Sequence, residues 1–149
     1  MNINQAIQST FSSEAQKATI NILYTAAWIN QMQTQFFKPY DITAAQYNVL
    51  RILKGQYPNP TTVAEIINRM IDKSSNASRI IDRLEKKRWV TRTTCKIDRR
   101  QVDVKISSDG IVLIDKIATE LSKMENQLNK LNVIELEQLN HLLDTFRNQ

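Results

Sequence analysis

Short hydrogen-bonding side chains and basic side chains are concentrated between residues 73 and 83 of this 149-residue chain. An asparagine amide and an arginine guanidinium each carry a pair of groups spaced to match the major-groove edges of adenine and guanine. Serine side chains are short enough to let a helix N-terminus approach a phosphate. The candidate contact residues are Lys73, Ser74, Ser75, Asn76, Ser78, Arg79 and Arg83. A solvated helix with serine caps would have the same composition, so recognition of a nucleic acid needs further support.

A second cluster of charged side chains follows at Lys96, Asp98, Arg99 and Arg100. The minor groove of DNA, where it is narrow, is strongly negative and attracts an inserted arginine. A neighbouring aspartate can hold such an arginine in place through a bidentate pair. If the cluster lies at the tip of a hairpin, adjacent residues point to opposite faces and only one of the two arginines can enter the groove.

Other kinds of chemistry have little support in the sequence. The only two glycines, Gly55 and Gly110, lie too far apart for a glycine-rich phosphate loop. One cysteine, Cys95, and one histidine, His141, cannot make an internal disulfide or a Cys/His metal cluster. We therefore predict no enzyme activity, no metal site and no cofactor. His141 lies among leucines and is expected to be partly buried, while Cys95, among basic residues, leaves a redox-responsive regulator as an alternative.

Four capping-box patterns predict where helices begin. Each pattern is a Ser, Thr or Asn followed three residues later by Glu or Gln, and they occur at 13–16, 43–46, 62–65 and 132–135. Apolar spacing predicts helices over 13–37, 43–54, 62–69, 74–88, 108–130 and 133–147. Alternating β-branched residues between 89 and 107 predict a β-hairpin whose tip is the charged segment 96–101.

The middle third of the chain carries the positive charge. Residues 61–107 hold twelve Lys or Arg and six Asp or Glu, a net charge of +6, whereas residues 108–149 carry −3. A short helix, a break at 70–73, a basic helix and a hairpin follow one another, which is the order of a winged helix-turn-helix. The predicted fold class is mainly α with a small β-hairpin wing. Double-stranded DNA is the favoured partner, because the cores of protein interfaces are usually depleted in charge. A winged-helix module that binds protein is the alternative.

The segments LEKKRWV (84–90), DRRQVDV (98–104) and ISSDG (106–110), together with Arg92, resemble the recognition-helix-to-wing region of the MarR family of winged-helix transcription regulators. The resemblance is specific over 74–110 and architectural over the rest of the chain. It implies a homodimer whose N- and C-terminal helices interlock, with two winged-helix lobes that bind a pseudo-palindromic operator, and often a pocket for a small ligand. We predict that the regulator is a repressor. It places the family's base-contacting positions on Ser74, Ser75, Asn76, Ser78 and Arg79. Its minor-groove arginine falls on Arg100, with Asp98 as the orienting carboxylate.

One position departs from the family pattern, because Arg88 stands where a glycine usually follows the recognition helix. A non-glycine residue in a left-handed helix C-cap costs about 1 kcal/mol. Either Arg88 adopts that strained conformation or the helix ends in a different way.

The ends of the chain are predicted to form a dimerisation region, 1–40 with 108–149, around a DNA-binding lobe at 41–107. A heptad seam supports this division, and its residues are Ile114, Ile117, Leu121, Met124, Leu128 and Leu131. Within a monomer such seams could also pack on one another. An aromatic and methionine stripe at Tyr24, Trp28 and Met32, with Tyr47, is the candidate site for a small aromatic effector, although such stripes more often belong to a core.

The longest apolar stretches in the chain, four residues each, are far short of the roughly 20 needed to cross a bilayer. The N-terminus has no basic or apolar signal region. We expect a cytoplasmic protein that has no contact with a membrane.

Overall fold

The computed structural model describes residues 2–94, 102–128 and 130–148. Its helices are α1 (Ile3–Ile7), α2 (Glu14–Phe37), α3 (Ala44–Gln56), α4 (Val63–Arg69), α5 (Ala77–Lys86), α6 (Ser108–Leu128) and α7 (Val133–Arg147). Its strands are β1 (Thr61–Thr62), β2 (Val90–Thr94) and β3 (Val102–Ile106). The predicted fold class, mainly helical with a small β wing, is confirmed. By its internal contacts the chain divides into two units, Met1–Ile114 and Asp115–Gln149.

Reciprocal capping explains where four of the helices begin. At the starts of α1, α3, α4 and α7 the cap oxygen accepts a hydrogen bond from the backbone N–H three residues on, and the Gln or Glu there accepts one from the cap N–H. The box at α1 was not predicted. At α2 only half of the box forms. Ser13 accepts from the N–H of Gln16, but the Gln16 side chain accepts from Ser12 instead.

The three strands form one antiparallel sheet in the order β1-β3-β2. β2 and β3 are the predicted hairpin, and in their register Arg92 lies opposite Val104. β1 was not predicted, because two residues are too few to show an alternating pattern. Thr61 lies opposite Val104 and Thr62 opposite Asp103, so this short strand covers the other edge of β3.

The core of the first unit is built from apolar side chains of α2 to α5 and of the sheet. Its fully buried members include Phe37, Leu50, Leu53, Ile66, Ile81, Leu84, Val90 and Val104. Each such side chain stabilises the fold by about 1.5–3 kcal/mol relative to its exposed state. Because α5 contributes Ala77, Ile81 and Leu84 from a single face, its other faces are left for contacts outside the core.

In the second unit, the predicted heptad seam is buried in its first part and exposed in its last. Ile117 and Leu121 are buried, as is Ile114 just before them, whereas Leu131 is 42% exposed. The side chain of Leu128 lies outside the described residues.

The last helix, α7, has no buried residue, and several of its large apolar side chains are exposed. These are Val133, Ile134, Leu139, Leu142 and Phe146. His141 is exposed as well, so the prediction of a partly buried histidine is wrong. The leucines around it do not pack over it within a single chain. Among the described residues, no helix combines the length and the apolar character needed to cross a membrane.

Candidate nucleic-acid interface

Helices α4 and α5 are joined by the turn 70–76, which a buried amide of α3 anchors. The Asn48 side chain is buried, and its Oδ1 accepts a hydrogen bond from the backbone N–H of Ile71 at 3.0 Å. Met70, on the same turn, is buried, whereas Ile71 is 83% exposed. The turn is therefore pinned to the core at its first residues, and the rest of it extends into solvent.

Asp72 organises the turn just before α5. Its carboxylate accepts hydrogen bonds from the hydroxyls of Ser74 (2.6 Å) and Ser75 (2.7 Å) and from the Ser74 backbone N–H (2.9 Å). The bonds from Ser74 and then Ser75 lower the pKa of Asp72. Because the pKa is lower in the folded chain, this stabilisation is complete above the ordinary aspartate pKa and is lost as the pH falls through the lower value.

These bonds correct the predicted start of the recognition helix, which is Ala77 rather than residue 74. Ser74 and Ser75 donate to a carboxylate two or three residues earlier, and this local arrangement competes with helix formation. The N-cap is Asn76, whose Oδ1 accepts from the N–H of Arg79 at 3.0 Å. That oxygen has a second lone pair and the amide NH₂ is a donor, so the cap leaves Asn76 able to form further hydrogen bonds.

Helix α5 presents three stripes at i, i+4, i+7 spacing, each with its own chemistry. The first stripe is the buried set Ala77, Ile81 and Leu84. The second, Ser78, Asp82 and Glu85, faces a basic side chain of β2. The third is exposed and basic, and it consists of Arg79, Arg83 and Lys86. Within the described part of the chain no carboxylate pairs with this third stripe, so its positive charge is directed to solvent.

Helix α5 ends in a left-handed residue. Arg88 has φ 60°, its N–H donates to the carbonyl of Glu85 (2.8 Å), and the N–H of Trp89 donates to the carbonyl of Leu84 (3.0 Å). This is a Schellman motif, which usually has glycine at the left-handed position. Of the two endings considered for the helix, Arg88 adopts the strained one, at a cost of about 1 kcal/mol. The Arg88 carbonyl also accepts a hydrogen bond from the Ser107 hydroxyl at 2.8 Å, which joins this cap to the start of α6.

The described part of the wing is its base. Strands β2 and β3 pair from Val90 opposite Ile106 to Thr94 opposite Val102. Lys96, Asp98, Arg99 and Arg100, predicted to contact DNA, lie outside the described residues, as does Cys95. Lys73, Ser74, Ser75, Asn76, Ser78, Arg79 and Arg83 all lie within 73–83, on the turn before α5 and on its first two turns.

A groove of about 570 Å³ lies between the start of α3 and the second half of α5. Four basic side chains line it, those of Lys38, Arg83, Lys86 and Lys87. Lys87 is already paired, because its Nζ lies 2.5 Å from Asp41 Oδ2 and also donates to the Asp41 carbonyl. The groove has the size of a small-molecule site, and the remaining cations favour an anion. This feature was not predicted, because its residues come from distant parts of the sequence.

The predicted effector residues are elsewhere. Tyr24 and Trp28 lie one turn apart on α2 and are 47% and 46% exposed. Met32 follows on the same face and is half-buried. Tyr47 packs on Phe37, with 5.0 Å between the ring centroids, so its ring contributes to the packing of α3.

Comparisons with known proteins agree with this arrangement. The MarR family model matches residues 42–102. The HTH-type transcriptional regulator PecS of Dickeya dadantii is 26% identical over 115 residues, which cover 76% of this chain and 68% of PecS. YhbI of Bacillus subtilis, named as an uncharacterized HTH-type transcriptional regulator, is 30% identical over 106 residues, 70% of this chain and 68% of YhbI.

A solved structure matches nearly the whole chain. It is the crystal structure of a cysteine-to-serine mutant of MarR from Escherichia coli, complexed with operator DNA. Its TM-score is 0.79 at 25% identity, with 93% of this chain and 99% of that chain covered. The helix-turn-helix with its sheet, the family match and the relatives lead to one conclusion: this chain belongs to the MarR family of DNA-binding winged-helix transcription regulators.

Proposed function

We propose that this protein is a repressor that binds one operator sequence in double-stranded DNA as a homodimer. The observation that carries the proposal is the exposed basic stripe of α5, next to a capped helix start with polar side chains. A helix of 10 residues is about 15 Å long, and its width suits the major groove. With α5 lying there, Asn76, Ser78 and Arg79 would meet base edges, and Arg83 and Lys86 would meet phosphates.

The wing and the preceding turn complete the proposed interface. Lys73, Ser74 and Ser75 would contact the DNA backbone next to the N-terminus of α5, where free N–H groups favour an anion. Arg100 is proposed for the minor groove, oriented by Asp98, with Arg99 and Lys96 on the flanking phosphates. The base of the wing supports this part, because β2 begins at Val90, directly after the cap of α5.

Two exposed apolar surfaces support a dimer. On α2 the large apolar side chains Leu23 and Ile29 are 61% and 42% exposed. On α7 the Leu142 side chain is 64% exposed and that of Phe146 is 52% exposed. Such surfaces are uncommon on a monomer and mark interaction sites. We assign 1–40 and 108–149 to dimerisation and 41–107 to DNA binding.

Selection of bound fragments from a genomic DNA library tests the function. We expect one recovered sequence with two inverted half-sites whose centres are about 10 base pairs, or a multiple of that, apart. Sedimentation should show two chains per duplex, and the affinity for random duplex should fall steeply as salt rises. Recovery of no preferred sequence, or weak binding that does not depend on salt, would instead favour a winged-helix module that binds protein.

We further propose that a small effector releases the protein from its operator. Tyr24 and Trp28 offer exposed aromatic faces to an aromatic compound. A compound that releases the operator should quench the fluorescence of Trp28. The Trp28→Phe variant, which keeps Trp89, should show no quenching of its fluorescence. Release without any change in Trp28 fluorescence would indicate that the effector binds in the basic groove instead. In that case the Lys38→Ala variant should no longer be released.

The named relatives are transcriptional regulators, and we propose no catalytic activity for this chain. A regulator of this kind would act in the cytoplasm, where it meets its operator. A role for Cys95 as a redox sensor is the alternative to release by a ligand. It requires that thiol oxidation of the dimer, with no compound added, releases the operator.

A further inference from the structure

Arg92, in the first strand of the wing, contacts three successive turns of the recognition helix. Its Nη2 donates to the Ser78 carbonyl oxygen at 3.1 Å and pairs with Oδ1 of Asp82. Its Nε lies 3.5 Å from Oε2 of Glu85. These three partners are the second stripe of α5. One guanidinium is therefore in contact with residues from the first turn of the helix to the last.

The position of Arg92 in the sheet explains how a charged side chain reaches this place. It lies opposite Val104, whose side chain is fully buried, and directly paired residues in an antiparallel ladder point to the same face. The Arg92 side chain is consequently only 26% exposed. Its Nε is buried and forms no hydrogen bond within the described residues, so this atom depends on the nearby Glu85 carboxylate.

The contact to Ser78 connects the first turn of α5 to the wing. Ser78 belongs to the first turn of α5, the end proposed to enter the major groove, and β2 leads directly into the wing. The buried stripe holds one face of α5 against the core, but apolar packing is not directional and fixes the rotation about the helix axis only loosely. A planar guanidinium with several fixed donors does fix it.

We propose that Arg92 is a positioning residue for DNA recognition. By holding Ser78, Asp82 and Glu85, it sets the rotation and distance of α5 relative to the wing, so that both elements meet the same operator. This inference rests on the proposed function and adds a determinant of sequence preference that does not itself contact DNA.

A charge effect and a positioning effect predict opposite changes in operator affinity when the Asp82 carboxylate is removed. If Asp82 and Glu85 acted only through their charge, removing a carboxylate from a helix next to phosphates would strengthen binding to every duplex. If they hold Arg92 in place, the same change loosens α5 against the wing. Operator binding then weakens while binding to random duplex stays equal or rises.

The experiment compares Asp82→Asn and Arg92→Lys with the wild-type dimer, on the selected operator and on a random duplex at equal salt. Glu120→Gln, which removes one carboxylate outside the DNA-binding lobe, is the matched charge control. We expect the ratio of operator to random affinity to fall about tenfold in Asp82→Asn and in Arg92→Lys, the size of a lost charge-assisted hydrogen bond. Arg92→Lys keeps the charge but lacks the planar fork, so its loss cannot be attributed to net charge. The control should keep the wild-type ratio.

A hydroxyl-radical footprint supplies a readout that a loss of stability alone would not produce. In Asp82→Asn and Arg92→Lys the protections beneath the wing should weaken relative to those of the major-groove half-sites. Thermal unfolding would show that the variants are folded at the assay temperature. A wild-type ratio in Asp82→Asn and Arg92→Lys, or an equal loss of all protections, would overturn the positioning role. If the wild-type protein selects no operator, the proposed function has failed instead.

Discussion

Replacing Asn76 with alanine should weaken operator binding by about 1–3 kcal/mol and also lower the free energy of unfolding by about 1 kcal/mol. The two losses have separate origins. The alanine removes an amide that can donate to and accept from an adenine edge, and it removes the Oδ1 that accepts from the Arg79 N–H at 3.0 Å. Isothermal titration with operator, together with urea unfolding of the free protein, measures each loss independently.

Two further variants separate these roles. Asn76→Ser keeps a cap of similar strength but lacks the amide, so it should lose operator affinity while keeping most of the stability. Arg79→Ala keeps the backbone N–H that the cap needs, so its cost of about 1–3 kcal/mol should appear only in DNA binding. If Asn76→Ser bound the operator as tightly as the wild type, Asn76 would be a structural cap and no base contact would be assigned to it.

Replacing Gly110 with alanine should destabilise the protein by about 1–3 kcal/mol, although alanine is the better helix former. A Cβ at this position would overlap the backbone carbonyl oxygen of Trp89 and lie 2.9 Å from Cγ1 of Ile106. The carbonyl belongs to the backbone between α5 and β2 and cannot rotate away as a side chain could. The start of α6 would have to shift from the Ser107 contacts that hold it.

Gly55 offers a matched control for this effect. It lies in α3, where an added Cβ meets no atom within 4 Å. Gly55→Ala should therefore raise stability by up to about 1 kcal/mol, the helix-propensity gain without a steric cost. Urea unfolding of both variants gives the comparison. Equal stabilisation by the two substitutions would show that α6 does not pack as closely on Trp89 as the structure indicates.

Local signals in the sequence were sufficient for much of the fold. The capping boxes at Thr43, Thr62 and Asn132 predict the starts of α3, α4 and α7 because their partners are only three residues away. The hairpin was predicted from β-branched alternation. The unusual Arg88 cap was anticipated as one of two possibilities, because a departure from a glycine position has a definite conformational cost.

Features that depend on competition or on distant contacts were not predictable in the same way. The start of α5 is set by Asp72. Its carboxylate accepts hydrogen bonds from the hydroxyls of Ser74 and Ser75, and this local arrangement keeps both serines out of the helix. The exposed state of His141 follows from α7 having no buried face within one chain. Arg92 was noted only as part of a pattern, since its partners are 7 to 14 residues away and become neighbours only when the wing folds against α5.

Thr62 belongs to two elements at once, which couples the mechanical response of the lobe. It pairs with Asp103 of the wing strand and also caps α4, where Glu65 accepts from its N–H at 3.1 Å. The neighbouring Thr61 hydroxyl donates to the same carboxylate at 2.6 Å. A force that pulls the wing away from the lobe is thus transmitted to the first turn of α4 without an intervening flexible segment. Bent or misfitting DNA that displaces the wing would therefore also displace the helix-turn-helix. We expect the wing and the helix-turn-helix to dissociate from DNA together.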